Sequence, residues 1–165
     1  MIARLAGVAS VAVLASAGAV AAQDLIEWGS SDYWSVLIDP SLGNGCLIQS
    51  EFEDGSTVRI GLDRITGFGY VTAFNDAWGN IQEGTMYPVD FTLDEEEFSG
   101  EAKGLYLDGV PGADIEFDSV DFFMSIAQRQ TMTLYDADGE DVLSIDLTGT
   151  MAGLNAVLEC QDEQG

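Results

Sequence analysis

The sequence predicts an α+β domain: a mostly antiparallel β-sheet, curved or sandwich-like, with two helices near the C-terminus. Three observations predict it. From Trp34 onward apolar residues recur with a period of two over short runs, the spacing that puts one face of a strand on a core. Glycine-containing turns separate those runs. In residues 118–130 and again in 148–160 the apolar spacing shifts to the helical period.

The chain opens with MIARLAGVASVAVLASAGAVAAQD. A single Arg4, an apolar run from Leu5 to Val20 and the small residues of AVAAQ match a secretory leader over residues 1–22, cleaved after Ala22 or Ala21. Residues 23–165 then form one β-rich domain, with no repeat, linker or composition shift. No later run is apolar enough to span a bilayer. The expected location is the periplasm or the extracellular medium, with no membrane insertion once the leader is removed.

WSVLI is a short opening strand. CLIQSEF passes through EDGS into TVRIGL, a hairpin in which Asp54-Gly55 supplies the positive φ of the turn. FGYVTAF follows, with Phe68, Tyr70 and Phe74 on one face. In YPVDFTL, Tyr87, Val89, Phe91 and Leu93 alternate with polar neighbours, and Pro88 belongs at a strand start or an unpaired edge. FSGEAKGLYL reads as a weaker strand, bent at its glycines. DSVDFFMSIAQRQ is a helix with a stripe of Val120, Phe123, Ile126 and Ala127, widened by Phe122. Asp118 or Ser119 caps it, and Arg129 complements its negative end. TMTLY and VLSIDL form a second hairpin around DADGED. TGTMAGLNAVLEC closes the chain as a helix with Met151, Leu154, Val157 and Leu158 on one side, capped by Thr148 or Thr150.

Charge narrows the function classes. The 165-residue chain carries 29 acidic residues, five basic ones and no histidine, for a formal net charge of −24. Beyond the leader only Arg59, Arg64, Lys103 and Arg129 remain positive. Such a field repels nucleic acid and steers cationic proteins inward. Without histidine there is no Ser-His-Asp or Cys-His catalytic arrangement and no histidine zinc site. Lys103 lacks a serine context, and carboxylate pairs among 29 acids single out no glycosidase-like site. The expected protein is therefore non-enzymatic and binds another macromolecule, a cationic protein, through its acidic surface. A divalent-cation module and a carboxylate-dependent hydrolase are the rival readings.

Cys46 and Cys160 are the only cysteines. In an exported chain such a pair is most simply one disulfide, here joining an early strand to the last helix.

No cofactor is expected, and calcium is the one metal the acids leave open. In LYDADGEDVL, Asp136, Asp138 and Asp141 surround Gly139. An EF-hand needs Gly at position 6 and Glu at position 12. With Gly139 at position 6, position 12 is Ile145; with Asp136 at position 1, position 6 is Asp141 and position 12 is Leu147. Both registers fail, so the stretch reads as a hairpin turn. The densest acid cluster, LDEEEFSGE, supplies Asp94, Glu95, Glu96, Glu97 and Glu101. Asp94 and Glu96 are further candidate ligands for an irregular oxygen cage. Glu95, Glu97 and Glu101 are candidates for contact with a basic partner. Trp78, in the loop-like NDAWGNIQEG, is the aromatic candidate for binding.

Taken together, the leader, W-x-V, a lone Cys, DGSTVRIGLD, W-G-N-I-x-x-G-x-x-Y-P-V, FFMSIAQRQTMTLYD and LSIDLTGTMAGLNAVLEC resemble a set of small exported alphaproteobacterial proteins. The last forty residues also resemble the end of the invasion-associated locus B family, where a helix and hairpin precede an L-x-G step into a final helix. The resemblance implies an envelope location and carries over no functional residue.

Overall fold

A computed structural model describes residues 24–165. The leader expected over residues 1–22 lies outside the described residues. The strands are β1 (Ile26–Ser31), β2 (Trp34–Asp39), β3 (Gly45–Glu51), β4 (Thr57–Asp63), β5 (Phe68–Phe74), β6 (Met86–Leu93), β7 (Glu96–Leu107), β8 (Val110–Phe117), β9 (Thr131–Tyr135) and β10 (Asp141–Asp146). Helix α1 (Val120–Ile126) lies between β8 and β9, and α2 (Thr150–Glu163) ends the chain.

All ten strands join one sheet in the order β1-β2-β3-β4-β5-β8-β7-β6-β9-β10, with every neighbouring pair antiparallel. The sheet curls. Trp34 on β2 donates from Nε1 to the Thr148 carbonyl just beyond β10, at 3.3 Å. A single apolar cluster runs from Trp34, Val36 and Ile48 to Met132, Leu134 and Ile145, so strands near opposite edges share one core. The sequence expectation of a sheet-dominated, mostly antiparallel domain holds in this continuous form.

Two strands are absent from the sequence reading. β1 is short and largely exposed. β8 carries Pro111, Gly112 and Asp114, residues that punctuate strands, yet it occupies the middle of the sheet between β5 and β7. Its insertion makes β6-β7-β8 a meander laid down in reverse, and the connection from β5 to β6 must cross the ends of β8 and β7. FSGEAKGLYL, expected to be weak, is part of the twelve-residue β7.

The helices bury most of the expected stripes, Phe123, Ile126 and the C-cap Ala127 of α1 and Leu154 and Val157 in α2, but not Val120, Met151 or Leu158. Ser119 caps α1 by accepting from the Phe122 N–H. Phe123 and Ile126 face the core, whereas Val120 is 51 % exposed. Phe123 packs on β5 because Gly69 has no side chain; a Cβ there would meet the Phe123 ring at 2.5 Å. Arg129 reaches Glu96, with Nη2 to Oε2 at 2.6 Å, instead of closing the helix end. In α2 the buried side is Thr150, Gly153, Leu154, Val157 and Cys160, and Met151 and Leu158 are exposed. Gly149, with φ +80°, holds the N-cap position, and neither Thr148 nor Thr150 caps the helix through its side chain. The staple decides this rotation: α2 must turn Cys160 toward β3.

Cys46 on β3 and Cys160 on α2 form the disulfide, with Cα atoms 6.2 Å apart and a sequence separation of 114. Both are fully buried. The Cys46 N–H also donates to Gln161 Oε1 at 3.0 Å, so the last helix is seated by covalent and polar contacts together.

Candidate functional site

The crossover from β5 to β6 carries Trp78. Asn75 starts it, accepting from the Ala77 N–H at 2.8 Å and donating Nδ2 to Ser56 Oγ at 2.9 Å. This caps a single 3-10 turn, Asp76–Trp78. The rest of the loop is pinned to the strands it crosses. Tyr106 Oη donates to the Ile81 carbonyl at 2.6 Å, and the Gln82 N–H donates to Tyr87 Oη at 2.9 Å. Backbone bonds join Gly84 and Thr85 to Gly104 at 2.8 Å each. Gly104 permits this approach, since a Cβ would collide with the Gln82 carbonyl and Ile81. The loop is therefore a fixed wall, with Trp78 half-buried against the core.

The facing wall is the β9–β10 turn. Asp136 Oδ1 accepts from the N–H groups of Asp138 and Glu140, both at 2.9 Å, and Gly139 takes φ +79°. DADGED is thus a tight turn organised by one aspartate, and the side chains of Asp138 and Glu140 are left to solvent.

Between the walls, β9 parts from β6. It pairs only with Asp90–Leu93, leaving the Met86–Val89 half of β6 without a strand partner on that side among the described residues. Pro88, which has no N–H to offer a ladder, falls in this free half. The gap is a groove of about 390 Å³. Trp78, Ile81, Val89, Leu134 and Val142 give it an apolar lining, and Asp136 and Asp138 stand at its rim. Mouths of rolled sheets, apolar with a few convergent polar groups, are common ligand sites.

The structure brings Trp78, Asp136 and Asp138 into one site and leaves the other sequence candidates elsewhere. Asp141 opens β10 opposite Tyr135. Asp94, at φ +55° in the β6–β7 turn, accepts from the N–H groups of Gln130 and Thr131 at 2.9 and 3.0 Å. It fixes the start of β9, while Glu96 holds Arg129. Glu95, Glu97 and Glu101 are exposed, Glu95 in the turn and the other two on the outer face of β7. Asp94 and the 136–141 turn sit at opposite ends of β9, about 15 Å apart at a strand's ~3.3 Å rise per residue, while Glu97 lies level with the middle of β9 and Glu101, in register with Pro88, lies level with the turn. The 94–101 and 136–141 acids do not share a cage, and among the described residues no group of three or more Asp, Glu, Cys or His side chains is arranged to hold a metal.

Sequence reasoning missed a second constellation, on the sheet face turned away from the core. Phe68, Tyr70 and Phe74 do share a face, but it is the outer one; Gly69, Val71 and Ala73 point inward, where Phe123 takes the space. Register places Arg59, Thr72 and Asp114 in one row beside Tyr70. The signal was available in the alternation of Arg59 with Val58 and Ile60, which makes its face the outer one.

A disulfide-stapled, rolled antiparallel sheet closed by a C-terminal helix, with a groove at one mouth, is the class these features define. No family model and no curated relative matches the chain. Among solved structures it is similar to invasion associated protein B from Bartonella henselae, with 15% identity over 85% of this chain and 99% of that one and a TM-score of 0.55. At that identity the likeness is one of fold.

Proposed function

We propose that this is an exported, non-enzymatic binding protein of the periplasm or extracellular medium, related to the invasion-associated locus B proteins, which docks a cationic protein in the Trp78 groove. The observation that carries the reading is the coincidence, in one groove, of an apolar floor, an aromatic wall and an aspartate rim that forms no ion pair among the described residues. The leader-like N-terminus, the buried disulfide and the fold likeness support export. The free margin of β6 favours an occupant in extended conformation that lies along Met86–Val89. Its apolar side chain enters beside Trp78 and its Lys or Arg side chains meet Asp136 and Asp138.

The test is a titration of the oxidised protein with an extended peptide alternating lysine and phenylalanine, followed by fluorescence. A chain of this charge attracts any polycation, so the variants decide the outcome. Asp138→Asn and Trp78→Ala should each weaken binding at least fivefold, while the charge-matched Glu95→Gln should match the wild type. Added salt should reduce affinity by slowing association. Equal loss in Asp138→Asn and Glu95→Gln would reduce the interaction to overall charge and remove the groove from it.

A further inference from the structure

The outer-face constellation forms a second site, separate from the groove. Strand register aligns Gln49, Arg59, Thr72, Asp114 and Lys103 across β3, β4, β5, β8 and β7. Tyr70 lies in the adjacent row, over Gly61, where a Cβ would come within 2.7 Å of its hydroxyl. Arg59, Tyr70, Thr72 and Asp114 line an open cavity of about 190 Å³ that also reaches Phe74 and the carboxylates Asp39, Asp63 and Glu116.

The polar groups here are underused. Arg59 Nε donates to Gln49 Oε1 at 2.8 Å, and its guanidinium carbon stands 5.4 Å from the centre of the Phe74 ring. In a chain with 29 acids, this half-buried guanidinium forms no ion pair among the described residues. Its two terminal nitrogens make no hydrogen bond there either. Tyr70 is only 6 % exposed, and its hydroxyl has no hydrogen-bond partner among the described residues. Thr72 Oγ1 donates to Asp114 Oδ1, which leaves Oδ2 uncommitted. The Tyr70 hydroxyl opens onto the cavity with no protein partner among the described residues, and a partly desolvated, unpaired cation destabilises the empty site. A ligand that pairs both recovers that free energy.

The arrangement of charge selects the ligand. Arg59 and Tyr70 are donors awaiting an acceptor, and a carboxylate matches the fork of the guanidinium. A simple anion, however, must lie among Asp39, Asp63, Asp114 and Glu116, which repel it. A simple cation would meet Arg59. A molecule carrying both charges a few ångströms apart satisfies both sets. The volume is slightly more than the ~150 Å³ of a cavity that accepts benzene, which limits the ligand to a few heavy atoms beyond its charged groups. We propose that this cavity binds a small zwitterion of the free amino-acid class, its carboxylate on Arg59 and Tyr70 and its ammonium among the surrounding aspartates and glutamate.

The experiment is calorimetric titration of the oxidised protein with glycine, alanine, serine, proline and valine. Acetate and ethylammonium, the two halves of the ligand, serve as controls at matched ionic strength. At least one amino acid should bind with one-to-one stoichiometry and at least tenfold more tightly than either half. Tyr70→Phe, which removes only the hydroxyl, should weaken it about tenfold, and Arg59→Gln should abolish it. Should Arg59→Gln not fold, Tyr70→Phe alone decides. The proposal is overturned if no amino acid binds, if acetate binds as tightly as the amino acids, or if Tyr70→Phe binds as the wild type does.

Discussion

Asp114→Asn isolates the cost of the charge that the outer face buries. Burial raises the Asp114 carboxyl from its ordinary 3.8 to about 6; the Thr72 hydrogen bond and Lys103 oppose the shift, and Glu116 and Asp63 add to it. Between those two values the folded chain holds a proton that the unfolded chain has released. Ionisation therefore favours unfolding: the penalty is absent below pH 3.8, grows through the window and is complete above 6. With these values it is roughly 2 kcal/mol at pH 5 and roughly 3 kcal/mol at pH 7. Asparagine carries no charge, and its side-chain oxygen still accepts from Thr72. Urea unfolding followed by tryptophan fluorescence, at pH 5, 6, 7 and 8, stays clear of the sequence pI near 4.1. The variant should be the more stable protein at pH 7, with an advantage larger by roughly 1 kcal/mol than at pH 5. An advantage that does not change with pH, or a variant weaker than wild type at pH 7, would refute the reasoning.

Other parts of the structure make separate demands. Replacing both cysteines by alanine frees a loop with a sequence separation of 114. By chain entropy this lowers stability by about 4–5 kcal/mol in urea unfolding, and a loss under about 1 kcal/mol would mean that α2 is seated without the staple. Asp94→Ala removes an acceptor from two backbone N–H groups and should cost about 1–3 kcal/mol. Its exposed neighbour gives a control, since Glu95→Ala should stay within about 0.5 kcal/mol of wild type. Because no group of three or more acidic side chains is arranged to hold a metal among the described residues, millimolar calcium and sodium chloride at matched ionic strength should shift the melting temperature equally. A shift specific to calcium would place a metal site on the acids after all.

Local pattern carried the sequence reading where local interactions decide structure. The β3–β4 hairpin follows from alternation and from Gly55, which takes φ +83°, and the Ser119 cap and the turn around Gly139 are written in their own few residues. Strand order is not local. Nothing in PGADIEF announces that β8 inserts between β5 and β7, yet that insertion forces the β5–β6 connection across the mouth and sets Trp78 opposite Asp138. Helix faces were legible in part: Phe123, Ile126, Ala127, Leu154 and Val157 are buried as expected, and the misses have a related cause. Met151 and Leu158 fit an apolar stripe, but the bond from Cys160 to Cys46 fixes which side of α2 meets the sheet. The outer-face cavity was hidden by the usual equation of aromatic with inward. Gly69 takes an inner position because Phe123 needs the room, and Tyr70 and Phe74 are left to build a polar site behind the sheet.

The groove is the centre of the account, and amide chemical-shift mapping tests it most directly. The lysine–phenylalanine peptide would be titrated into isotope-labelled, oxidised protein at moderate salt. The account predicts the largest shifts at Trp78, Tyr87, Val89, Ala137, Asp138 and Val142, with the residues around Glu95 and Glu97 nearly still. Shifts spread over the acidic surface, or centred on the β6–β7 turn, would contradict it.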